Sequence, residues 1–152
     1  MQGNVSSKPT IGYITVRAFA HATEDSEKVL VAVRNTLPME LGESVVFKKT
    51  GLSGHHGNSI TLFEAKLADK KALPSALDRI GSGLSALDKE TLSREMRLHL
   101  EKSNLYLRFD KQHAFLGELR FSSNDPIHFK IHFKNKTAEE IVRICGEKGL
   151  LS

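Results

Sequence analysis

The 152-residue chain contains 39% hydrophobic and 26% charged residues, which is typical of a folded globular protein and excludes a disordered chain. Lys and Arg outnumber Asp and Glu by 22 to 18, which gives a formal net charge of +4. This small basic excess favours an anionic partner such as nucleic acid. The single cysteine, Cys145, excludes an intrachain disulfide and any zinc site built from several cysteines, and its apolar neighbours predict a core residue.

The chain has no apolar run of 18 residues, so no transmembrane helix is predicted. The N-terminal segment is polar and lacks the apolar core of a signal peptide. We therefore expect a cytoplasmic protein in which residues 1–10 form a flexible tail and residues 11–152 form a single domain.

Residues 11–21 alternate between two faces, as in a strand packed on one side and partly open on the other. The packed face carries Ile14, Val16, Ala18 and Ala20, and the open one carries Tyr13, Thr15, Arg17, Phe19 and His21. Residues 23–38 predict a helix that Thr23 or Asp25 caps and Pro38 ends.

The middle of the chain predicts two strands followed by two helices. The strands cover residues 44–49 and 59–67, with a glycine-rich connection between them. The helices cover residues 69–84 and 87–103, and each has an apolar stripe at helical spacing.

The last third predicts three strands and a helix. The strands cover residues 104–110, 113–121 and 126–134, with Lys111 and Gln112 in a tight turn between the first two. Thr137 and Glu140 form a capping box at the start of the final helix. Short connections between consecutive strands favour antiparallel pairing. We therefore predict an α+β two-layer sandwich, with a mostly antiparallel sheet and helices on one face.

The strand over residues 126–134 carries a row of basic side chains on one face. His128, Lys130, His132 and Lys134 alternate with apolar residues, so they repeat every ~6.8 Å along one side of the strand. A row with this spacing can follow a nucleic-acid backbone. It is also compatible with a solvated strand on which lysines prevent aggregation.

Aromatic and basic residues also share the open face of the first strand and of the strand over residues 104–110. Tyr13, Arg17, Phe19 and His21 lie on the first, and Tyr106 and Arg108 on the second. Such a mixture suits stacking on unpaired bases combined with phosphate contacts. The same surface could instead pack against a helix of this chain or against a partner protein.

The segment GLSGHHGNSI, residues 51–60, places His55 and His56 between glycines. Adjacent side chains in an extended segment diverge, and no carboxylate cluster or HExxH motif accompanies them, so no metal is predicted. His55, His56 and Asn58 are either polar contacts on a compact loop or parts of an ordinary turn. The sequence has no P-loop, G-x-G-x-x-G or G-x-S-x-G motif, so we predict no catalytic residues and no cofactor.

Three motifs in fixed order resemble an archaeal family described as predicted exosome-associated RNA-binding proteins. They read H-x-T-E-D from His21, G-H-x-G-N-x-I from Gly54, and L-R-x-D-K-Q-x-A-x-x-G-E from Leu107. The resemblance extends over about residues 11–134. It implies RNA binding, an archaeal cytoplasm, a fold similar to that of ribosomal proteins that bind five-S rRNA, and partners among exosome or ribosome components.

The leading hypothesis is a non-catalytic RNA-binding protein with low sequence selectivity, because the chain lacks the RRM and KH signatures. The alternative is a subunit that docks on other proteins through its open sheet face. The predicted RNA contacts are Arg17, His21, His55, His56, Asn58, Arg108, Lys111, Gln112, His128, Lys130, His132 and Lys134.

Overall fold

A computed structural model of the chain describes residues 10–54 and 57–152. Nearly all of the predicted tail, residues 1–9, lies outside this range, as do His55 and His56. The described strands are β1 (Ile11–His21), β2 (Lys48–Ser53), β3 (Ser59–Leu67), β4 (Leu100–Glu101), β5 (Asn104–Phe109) and β6 (Ile127–Phe133). The described helices are α1 (Ser26–Asn35), α2 (Met39–Ser44), α3 (Ala72–Gly83), α4 (Ala86–His99), α5 (Lys111–Phe115) and α6 (Ala138–Glu147).

The six strands form one sheet in the order β2-β3-β1-β6-β5-β4. Every neighbouring pair is antiparallel. The predicted α+β class with an antiparallel sheet is therefore confirmed. No helix in the described ranges is long and apolar enough to cross a membrane.

The two faces of the sheet differ sharply in burial. On β1, the predicted inner residues Ile14, Val16, Ala18 and Ala20 are all buried. The inner residues of β5 and β6 join them in one core with buried side chains of α1, α3, α4 and α6. Cys145 lies in this core as predicted, and burial raises the pKa of its thiol to about 12. The opposite side of the sheet, here called the open face, carries only half-buried and exposed side chains.

Polar side chains fix where α1, α4 and α6 begin. Ser85 caps α4, and Thr137 and Glu140 form the predicted capping box of α6. Asp25 caps α1 by accepting hydrogen bonds from the amides of Glu27 and Lys28. Thr23, the other residue considered for this cap, makes no such contact, because it lies two residues before the cap position, too early to reach the first free amides of the helix.

The predicted strand over residues 113–121 is wrong at its N-terminal half. The Asp110 carboxylate accepts a hydrogen bond from the backbone amide of His113 at 2.8 Å and so starts α5. Gly117, with a φ of 86°, follows the end of this short helix. Only Leu119 and Phe121 make isolated β-bridges, to Leu84 and Phe109.

The predicted boundaries around residues 38–49 are also wrong. Helix α1 ends at Asn35, and Pro38 precedes the additional helix α2. β2 begins only at Lys48. Pro38 cannot continue a helix, but its fixed φ is well suited to the position just before a new one.

Candidate nucleic-acid interface

The strand register aligns polar side chains in lines that cross the open face. One line contains Lys48, Glu64, Arg17, His128 and Arg108, on five adjacent strands. The next line contains Lys66, Thr15, Lys130 and Tyr106. These lines form because directly paired residues of neighbouring strands point to the same side of the sheet.

The open face is positively charged. Its strand residues include five Lys or Arg and two Glu, which leaves a net charge of +3 before any histidine is counted. Glu64 lies 3.6 Å from Arg17, and the side chains of Arg17 and Glu64 are 46% and 38% exposed to solvent. An ion pair accessible to water contributes little to stability, so Arg17 can leave Glu64 to contact an anionic ligand.

His128 lies in the first line between Arg17 and Arg108. Partial burial lowers the pKa of His128 below its usual value of 6.5, and the charges of Arg108 and Arg17 lower it further, although Asp125 opposes them. Neutral His128 can therefore both donate and accept a hydrogen bond at neutral pH. The permanent positive charges of this line belong to Lys48, Arg17 and Arg108.

Tyr13 and His132 form a stacked pair farther along the open face. Their ring centroids are 4.9 Å apart and their planes differ by 21°. His132 Nδ1 lies 2.8 Å from the Asn104 side-chain oxygen on β5. The ammonium groups of Lys66 and Lys130 lie 4.6 and 5.6 Å from the centre of the Tyr13 ring. Two lysines thus converge on a single aromatic ring.

Two further aromatic side chains are accessible on this surface. Phe19 and Tyr106 are half-buried and border a shallow depression that also contains Arg17, His128 and Lys130. Half-exposed rings beside positive charges are what unpaired bases need for stacking with simultaneous phosphate contacts.

Lys111 occupies the centre of a polar cluster at one end of the sheet. Its ammonium donates hydrogen bonds to the Phe19 carbonyl, to Glu24 at 3.2 Å and to Asp125 at 2.7 Å. His21 Nε2 lies 3.1 Å from the same Asp125 carboxylate. The cluster therefore connects the ends of β1 and β5 with the segment that leads into β6.

Lys111 begins α5 rather than lying in the predicted tight turn, and its side chain has a structural role. Only 11% of its side chain is exposed, since the ammonium group is enclosed by its partners. Partial burial tends to raise the pKa of Asp125, but hydrogen bonds from Lys111 and His21 hold it below its ordinary value. Asp125 also has a φ of 48°, a left-handed conformation that aspartate tolerates better than most residues.

This cluster bears on the predicted absence of a metal. Among the described residues, one group has ligand atoms close enough to share a cation. It consists of His21, Glu24 and Asp125, whose ligand atoms lie within 4.8 Å of one another. The Lys111 ammonium already contacts both carboxylates. A cation would have to displace it.

The remaining predicted contacts lie away from the two lines. Gln112 is exposed at the start of α5, Asn58 is exposed just before β3, and Lys134 is exposed just after β6. His55 and His56 belong to the same loop as Asn58 but lie outside the described residues. The structure thus gathers Arg17, Arg108, His128, Lys130 and His132 on the open face, and places His21 with Lys111 at its end.

The list of predicted contacts omitted Lys48, Lys66 and Asn104, which lie on the same face. Alternation along β3 places Lys66 on the same side as Glu64, a signal that the sequence contains. Its proximity to Tyr13, however, depends on the register between β1 and β3, which the sequence does not specify.

Comparisons with known proteins agree on one family. A family model described as RNA binding matches residues 13–133. An RNA-binding protein of Pyrococcus abyssi is 35% identical over 124 residues, covering 80% of this chain and 80% of that protein. An uncharacterized protein of Methanocaldococcus jannaschii is 34% identical over 147 residues, covering 90% and 97%. The structure of a DUF54 protein from Methanothermobacter thermautotrophicus superposes with a TM-score of 0.73 at 27% identity, covering 94% of this chain and 99% of that one.

Replacing Lys111 by Met should lower the free energy of unfolding by about 1–3 kcal/mol, because it removes charged hydrogen bonds and leaves two carboxylates close together. Lys130→Met, on the open face, is the matched control and should change stability by less than about 0.5 kcal/mol. Urea denaturation of both variants measures the difference. Equal stability of the two variants would show that the Lys111 cluster does not hold the sheet end together.

Lowering the pH from about 7.5 to 5.5 should reduce the free energy of unfolding, because His128 takes up a proton more readily in the unfolded chain than in the folded one. Its pKa is depressed in the folded state, so the unfolded chain binds more protons as the pH falls through the ordinary histidine value. The depressed pKa values of Asp110 and Asp125 act only at more acid pH. His128→Gln should flatten the pH dependence of the melting temperature in this window, and an unaltered slope would contradict the assignment.

Proposed function

Because this chain belongs to the family whose model is described as RNA binding, we propose that it binds single-stranded RNA, without catalysis, on the open face of its sheet. The observation that carries the proposal is the line of Arg17, His128 and Arg108 beside Lys130 and Tyr106. It combines fixed positive charge with accessible rings on a surface that no described helix covers.

The open face suits a flexible strand better than a duplex. Stacking requires unpaired bases, because those of an RNA duplex are enclosed in its own stack. Phe19 and Tyr106 offer half-exposed rings near Arg17 and Lys130. Contacts to phosphates and to the flat faces of bases are available whatever the sequence, so selectivity should be low.

The cluster end of the sheet extends this surface. His21, Gln112 and Asn58 are exposed there, and together with His55 and His56 they are proposed as contacts for RNA that runs past the open face. Lys111 acts on RNA indirectly in this proposal, because its ammonium holds Glu24, Asp125 and the Phe19 carbonyl in place.

The cellular role follows from family resemblance alone. The Pyrococcus abyssi relative is named an RNA-binding protein, and the family motifs resemble those of predicted exosome-associated proteins. We therefore propose that residues 11–152 act as one RNA-binding unit in the cytoplasm, in RNA processing with exosome components or on ribosomal RNA.

Docking on a partner protein through the open face is the alternative, and salt distinguishes the two. The affinity for an RNA that is held through several phosphates falls steeply as the salt concentration rises. For a single strand, log K falls against log salt with a slope of about 0.7 per phosphate contact. Replacing both Arg17 and Arg108 by Ala should weaken all single-stranded RNAs about equally and reduce the slope of log K against log salt by about 1.4.

The matched control removes two arginines from the helical side of the molecule. Arg94 and Arg97 are exposed on α4, so the Arg94→Ala, Arg97→Ala variant has the same net charge as the open-face variant. Fluorescence anisotropy of labelled RNA at several salt concentrations compares the two. An equal loss of RNA affinity in both variants would show that net charge alone causes the effect. No loss of affinity in either variant would show that RNA does not bind on the open face.

A further inference from the structure

The environment of His132 fixes which of its ring nitrogens carries hydrogen. Nδ1 lies 2.8 Å from the Asn104 side-chain oxygen, and an amide oxygen can only accept a hydrogen bond. Nδ1 must therefore be the donor. In a neutral imidazole the other nitrogen, Nε2, is then an acceptor with a free lone pair.

Neighbouring groups also fix the position of the ring. The imidazole stacks on Tyr13 and lies over Gly12, where an added Cβ would come within 2.9 Å of His132 Cδ2. Cδ2 faces Gly12 on β1 and Nδ1 faces Asn104 on β5, so Nε2, which is bonded to Cδ2, belongs to the edge of the ring farthest from the attachment to β6. Among the described residues, none forms a hydrogen bond with Nε2.

Two cations lie close to the aromatic ring on which His132 stacks. The ammonium groups of Lys66 and Lys130 approach the Tyr13 ring to 4.6 and 5.6 Å, and Tyr13 is stacked directly on His132. A phosphate attracted by these lysines carries its own ribose with it. That sugar would lie near the Nε2 acceptor of a ring that Asn104 and Tyr13 hold in place.

We propose that His132 Nε2 accepts a hydrogen bond from a ribose 2′-hydroxyl, so that His132 makes this surface prefer RNA to DNA. The 2′-hydroxyl is the group by which a protein distinguishes the two nucleic acids. This inference rests on the proposed function, since it concerns the same open face. It adds a specificity-determining residue to a surface whose other contacts, to phosphates and bases, are common to both polymers.

Three oligonucleotides of about 15 nucleotides share one mixed base sequence. All three carry uracil in place of thymine, so they differ only at the 2′ position of the sugar. They are RNA, DNA and 2′-O-methyl RNA, and fluorescence anisotropy measures the affinity of each. The 2′-O-methyl group can accept a hydrogen bond but cannot donate one. The wild type should therefore bind RNA about three- to ten-fold more tightly than either of the others, as expected for one neutral hydrogen bond.

His132→Phe keeps an aromatic ring against Tyr13 and removes both nitrogens, and it should bring the three affinities to within about two-fold of one another. Asn104→Leu leaves His132 in place but removes the acceptor for Nδ1, so that either ring nitrogen can carry the hydrogen. This variant should reduce the preference for RNA over DNA, and it replaces His132→Phe if that variant does not fold. His128→Gln, two positions along the same face of β6, is the matched control. It should lower the affinities for RNA and for DNA by the same factor and leave the ratio of the two affinities unchanged.

The possible failures are distinguishable. Equal wild-type affinity for RNA and DNA, or a full preference retained in His132→Phe, would overturn the role of His132 while leaving RNA binding intact. Binding of 2′-O-methyl RNA as tightly as RNA would show that no acceptor reads the hydroxyl hydrogen. Absence of binding to all three oligonucleotides would overturn both this inference and the proposed function.

Discussion

The register of β1 between β3 and β6 is the constraint on which the open face depends. Pairing of Arg17 with both Glu64 and His128 sets one line of side chains, and pairing of Thr15 with Lys66 and Lys130 sets the next. A shift of one residue would exchange the faces of a strand and bury charge in the core. The apolar residues of β1 and β6 must face the core. Because side chains alternate along a strand, their burial places the basic residues between them on the open face.

Lysines of this protein act in two physically different ways. Lys111 is enclosed by an opposing carbonyl and two carboxylates, so its charge is used within the fold. Lys66 and Lys130 instead approach the ring of Tyr13, which attracts cations without neutralising them. Their charge stays available to an anionic ligand, and the family motif that contains Lys111 contributes to the architecture at the edge of the surface.

The sequence predicted the parts of the fold that depend on local pattern. Alternation in β1 and β6 identified both faces correctly, and the capping box of α6 identified its start. The prediction from sequence failed at residues 110–119, where the apolar alternation of a strand competes with an aspartate cap that starts a helix. The stacking of His132 on Tyr13 and its bond to Asn104 depend on strand order, which no local pattern encodes.

The most direct test of the central claim is to map bound RNA on the folded protein by NMR. Titration of the isotope-labelled chain with a short single-stranded RNA should shift amide signals across β1, β3, β5 and β6 and the side-chain signals of Tyr106 and His128. Signals of α4 and α6, on the covered side, should stay in place. Shifts confined to the helices or to the loop between β2 and β3, with the open face unaffected, would contradict the account.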